Sequence, residues 1–101
     1  MENSLYAKIE NRILKLKAAK GNIDIRKIVM NDPAEKLLIS EIMALLNDKG
    51  VKHLTKIRDI PVEVIMIKEF RAQRIPVVGI VYVAGPIKIE RTSFIAHVIG
   101  G

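Results

Sequence analysis

Apolar positions recur at helical spacing in two stretches of the chain and at strand spacing near its end. Leu5, Ile9, Ile13 and Leu16 follow one another at intervals of four, four and three, with Lys8, Arg12, Lys15 and Lys20 toward the other side and Ser4 placed to cap. The pattern predicts an amphipathic, outwardly basic helix within residues 1–21, stopped by Gly21. Its apolar stripe must cover the core or meet a second copy of itself in a homodimer. A second helix is announced by Asp32, Pro33, Ala34 and Glu35, which supply a cap, a proline in the first turn and a glutamate at the capping-box position. Leu37, Leu38, Ile42, Leu45 and Leu46 then form a face broad enough for the centre of a core, and Asp48, Lys49 and Gly50 supply the stop.

Between these helices IDIRKIVM alternates Ile23 and Ile25, then shifts to Ile28 and Met30, and its branched residues suit a short strand or an extended connector. From Val51 every third residue is apolar (Val51, Leu54, Ile57, Ile60), with Lys52, Lys56 and Arg58 between, the pattern of a short basic helix that Pro61 breaks. PVEVIMIKEFRAQR, residues 61–74, admits two readings. As a helix it has Pro61 in the first turn, Glu63 near the N-terminal dipole and Val62, Ile65 or Met66, and Phe70 inward, with Lys68, Arg71 and Arg74 outward. As a strand it sets Val62, Val64 and Met66 against Glu63, Ile65 and Ile67. IPVVGIVYV reads as a strand, Ala84, Gly85 and Pro86 as a tight turn, and IKIERTSF as the returning strand of a hairpin, with Ile87 and Ile89 opposed to Lys88 and Glu90. A last short strand, FIAHVI, precedes Gly100 and Gly101.

At 101 residues the chain supports one core, since halves of it would be too small to stand without disulfides or metal. Half the residues are apolar and 28% are charged, the balance of a folded protein. We therefore expect a single domain over 1–101, with the N-terminal helix (1–21) added to a core unit (32–98). The formal charge of +6 favours polyanionic partners, nucleic acid first. The sequence contains no cysteine, which excludes disulfides, thiol nucleophiles, iron–sulfur clusters and cysteine-bound zinc, and points to a cytoplasmic setting. Charges run throughout MENSLYAKIENRILKLKAAK, and Pro76, Gly79, Gly85 and Pro86 interrupt the longest weakly charged run, so no signal peptide or membrane helix is expected.

Catalytic chemistry finds little footing. His53 and His97 have no companion at metal-ligand spacing. Glu35, Asp48, Asp59, Glu63 and Glu69 each read as a cap or solvated charge, Ser4, Ser40 and Ser93 lack a nucleophile elbow, and Gly79, Gly85 and Gly100 form no phosphate-cradling loop. We expect a protein that binds a partner: no enzyme, no metal, no cofactor and no small-molecule substrate.

The order from Asp32 onward is a central helix, a short basic helix, a tight turn at Asp59, Ile60 and Pro61, a third helix on one reading of 61–74, and a hairpin. With FRAQRIPVV where a third helix would give way to the first wing strand, residues 32–92 resemble the winged helix-turn-helix family. The resemblance implies an α+β fold of three helices with a C-terminal β-hairpin, preceded here by an extra N-terminal amphipathic helix. It implies a duplex DNA-binding protein, a small microbial or viral transcription regulator or architectural factor. The contacts it implies are Lys68, Arg71 and Arg74 on the third helix, Lys52, Lys56 and Arg58 on the second, and Lys88 and Arg91 in the hairpin. The alternative places residues 61–98 in an antiparallel sheet covered by two helices, an α+β protein–protein interaction module that self-assembles or antagonises a host protein. The conformation of residues 61–74 separates the two.

Overall fold

The computed structural model describes residues 4–19, 22–46, 54–65 and 75–97. These form two helices and one five-stranded mixed sheet: α1 (Leu5–Ala18), β1 (Ile23–Met30), α2 (Asp32–Leu46), β2 (Lys56–Ile57), β3 (Ile60–Val64), β4 (Val77–Ala84) and β5 (Glu90–Ala96), with strand order β2-β3-β1-β4-β5. β1 pairs parallel to β3 and antiparallel to β4. The parallel pair requires a crossover, and α2 lies within it.

Ser4 caps α1 as its sequence suggests, its Oγ accepting from the Ala7 N–H at 3.0 Å. The Glu41 carboxylate of α2 takes two further free donors, the Leu5 and Tyr6 N–H groups, at 3.0 and 2.9 Å. At α2 the cap is Asn31, one residue before the expected Asp32. Its Oδ1 accepts from Ala34 N–H and Val77 N–H, both at 3.0 Å, and its Nδ2 donates to the Ile75 carbonyl at 2.8 Å. Glu35 does not close a capping box onto Asp32; it is buried, and its carboxylate accepts from the Leu54 N–H.

Both helices contribute to a core on one face of the sheet, called the front here. Leu5, Ile9 and Ile13 of α1, with Ala34 and Leu38 of α2, cluster with Ile28 and Met30 of β1, Val78 and Ile80 of β4, and Ile95 of β5. Leu5, Ile9 and Ile13 of the α1 stripe are thus spent within this one chain, at 0–1% exposure, and Leu16 is partly buried against the same core. On the opposite face Val29, Val77, Val81 and Val83 are buried beside Gly79. A Cβ on Gly79 would stand 2.8 Å from Thr92 Cγ2 and 3.0 Å from both Phe94 Cε1 and Val29 Cγ2, so the Phe94 ring lies over the glycine.

The expected three helices with a C-terminal hairpin are therefore not the fold. Where a short basic helix was expected, Lys56–Ile57 pairs with Ile60–Pro61 in a hairpin. Its turn residues Arg58 and Asp59 have φ of 50° and 65°, the left-handed pair that a two-residue turn requires. The third-helix reading of 61–74 fails at its start, because Ile60–Val64 is a strand; residues 66–74 lie outside the described residues. Pro61 is tolerated because pairing with β1 begins only at Val62, so no ladder donor is lost. The C-terminal hairpin exists, with β5 beginning at Glu90 and absorbing part of the expected last strand. No helix among the described residues is long and apolar enough to cross a membrane.

Candidate functional site

The two sheet edges differ. β2 is two residues long and carries Lys56, features that discourage further pairing. β5 is a seven-residue strand without proline, and no strand lies beyond it among the described residues.

Its outer hydrogen-bonding groups follow from the ladder. The His97 N–H donates to the Pro76 carbonyl at 3.0 Å in a register that pairs Val77 with Ala96. Hydrogen-bonded pairs alternate along an antiparallel ladder, so Arg91, Ser93 and Ile95 turn their N–H and C=O groups toward β4. Glu90, Thr92, Phe94 and Ala96 turn theirs away from it. The Arg12 guanidinium meets this outer row, donating from Nη1 to the Phe94 carbonyl at 3.3 Å as well as to Ser93 Oγ.

The same alternation sorts side chains. Thr92 and Phe94 lie on the back with Gly79, and Phe94 is 49% exposed. Arg91, Ser93 and Ile95 face the front, where α1 lies. Lys8 Nζ donates to His97 Nδ1 at 3.1 Å, so Lys8 and Arg12 form a cationic rim along β5. On its other side α1 reaches the β2–β3 turn through Glu10, whose carboxylate pairs with Arg58 at 2.8 Å. The loop entering β5 exposes Ile87 and Ile89 at 59% and 62%.

Of the residues expected to contact DNA, the four that are described divide between the two sheet edges. Lys56 and Arg58 lie at the β2–β3 edge, Lys88 and Arg91 beside β5. Four inter-strand steps separate these edges, about 19 Å. Lys52, Lys68, Arg71 and Arg74, like His53, fall outside the described residues. Several other cations are matched locally: Arg26 by Asp24, Lys27 by Glu63 and Lys36 by Asp32. The Lys27 pKa is raised from its ordinary 10.5, chiefly by its hydrogen bond to Glu63. Among the described residues no three His, Cys, Asp or Glu side chains gather as metal ligands.

Sequence reasoning missed Arg12 and Phe94 as edge residues. Arg12 reads as solvated helix charge and Phe94 as hairpin apolar content until the ladder places them together. No protein-family model, no curated protein and no solved structure matches the chain.

Proposed function

We propose that this chain is a protein-interaction module that docks an extended segment of its partner along β5, adding a sixth strand to the sheet. The observation that carries this reading is the outward row of N–H and C=O groups on a seven-residue edge strand. Main-chain pairing supplies affinity there, and the half-exposed Phe94 supplies an apolar contact. The contrast with the two-residue, lysine-bearing β2 edge supports it: one edge is blunted and the other is not.

The test is selection of random decapeptides displayed against the immobilised chain, with Thr92→Pro and Glu90→Pro chains as counter-baits. Each proline removes an outward N–H and leaves the β4–β5 ladder intact, which equal melting temperatures verify. Enriched peptides should bind the wild-type chain, lose binding to both variants and shift the amide resonances of Glu90, Thr92 and Ala96. Peptides that bind all three chains equally, or no enrichment at all, would overturn the reading. The +6 charge favours a second reading, duplex DNA as partner. Anisotropy against mixed duplex across a salt series tests it, because phosphate neutralisation gives a steep linear fall of log affinity with log salt.

A further inference from the structure

Resting on the edge-docking reading, we infer that the segment β5 accepts is acidic and amphipathic, with carboxylates on alternate residues facing α1 and apolar side chains between them. A strand laid along β5 continues its two faces. On the front it would run beside Arg91 of β5 and the α1 residues Lys8 and Arg12, whose contacts with His97, Ser93 and the Phe94 carbonyl hold them at the edge. The one carboxylate of β5, Glu90, is on the back face. Incoming front-facing side chains therefore meet cations, and back-facing ones meet Thr92 and the Phe94 ring.

Arg12 is the most specific element of this rim. Both of its bonds to described residues use Nη1, so Nε and Nη2 face no described acceptor and keep the fork geometry that suits a carboxylate. The same charges argue against a second copy of the chain. Two β5 strands paired antiparallel about an axis normal to the sheet would keep the same face on the same side. Lys8, Arg12 and Arg91 of both copies would then crowd one seam, a like-charge juxtaposition that disfavours the pair.

The experiment titrates the ¹⁵N-labelled full chain with three blocked octapeptides, in which valine alternates with glutamate, glutamine or lysine, at low and high salt. The glutamate peptide should bind at β5, shifting the amides of Thr92 and Ala96, about tenfold more tightly than the glutamine peptide at low salt, and salt should erase most of that ratio. Arg12→Gln and, separately, Arg91→Gln should each reduce the ratio of the two affinities, and the loss should fall on the glutamate peptide at low salt. Equal affinities at β5 for the glutamate and glutamine peptides would overturn the acidic preference while the edge reading stands. Absence of any shift at Thr92 and Ala96 with all three peptides would overturn the edge reading itself. Concentration-dependent dimerisation in sedimentation velocity that Thr92→Pro abolishes would assign the edge to a second copy instead.

Discussion

Replacing Asn31 by alanine should be among the most damaging single changes in the protein. The side chain is 7% exposed and joins three parts of the fold: the start of α2 through Ala34 N–H, the start of β4 through Val77 N–H, and the approach to β4 through the Ile75 carbonyl. Alanine leaves all of these without their partner. The lost cap costs about 1 kcal/mol. Ala34 and Val77 are 0% and 2% exposed, so water does not readily replace the amide oxygen there. Beyond that cap, the stranded Val77 N–H adds about 1–2 kcal/mol and the half-buried Ile75 carbonyl about 1 kcal/mol or less. The sum is roughly 2–4 kcal/mol, a large share of the 5–15 kcal/mol typical of a domain. Asn31→Asp separates the contributions. It retains both acceptor contacts and places a negative charge at a helix N-terminus, but sets a carboxylate oxygen against the Ile75 carbonyl in place of the amide donor, so about 1–2 kcal/mol is expected. Urea unfolding followed by both circular dichroism and tyrosine fluorescence, with m-values compared, measures these differences. A loss below about 1 kcal/mol for Asn31→Ala at unchanged m would refute the reasoning, because the stranded groups would then have found other partners.

Other perturbations report on the remaining joints. Glu41→Ala should destabilise by about 1–2 kcal/mol by releasing the Leu5 and Tyr6 N–H groups, with α1 amides losing hydrogen-exchange protection before the sheet. Gly79→Ala should cost about 1–3 kcal/mol, because its Cβ meets Thr92, Phe94 and Val29 at 2.8–3.0 Å; denaturation curves give the loss, and ring resonances show Phe94 displaced. Lys27 should titrate above 10.5, and Glu63→Gln should return it toward that value, as followed by its side-chain ¹⁵N shift. Since its pKa is raised on folding, the contribution of this contact is fully present below pH 10.5 and fades as pH climbs through the raised value.

The parts of the fold written in local chemistry were legible. α1 and its Ser4 cap, the start of α2 within one residue, and β4 all follow from periodicity and capping residues. The failure at residues 51–64 has a definite origin. Ile57 and Ile60 are three apart because a two-residue turn separates facing partners of a hairpin, a spacing that also matches a helix face. Arg58 and Asp59 lack the glycine or asparagine that would have signalled left-handed turn positions. The central place of β1 was equally hidden, because its pairing with β3 and β4 depends on residues distant in the chain. Arg12 and β5 come together across 81 positions, from Arg12 to Ser93, and no local pattern encodes that meeting.

The most direct test of an open β5 edge is residue-resolved hydrogen exchange on the free chain. The amides of Arg91, Ser93 and Ile95, which turn toward β4, should be protected, while those of Thr92 and Ala96 should exchange near the rate of an unstructured peptide. Binding of an added strand should then protect Thr92 and Ala96 selectively. If Thr92 and Ala96 are already as protected as Ser93 in the free chain, the edge is covered and the proposed docking site does not exist.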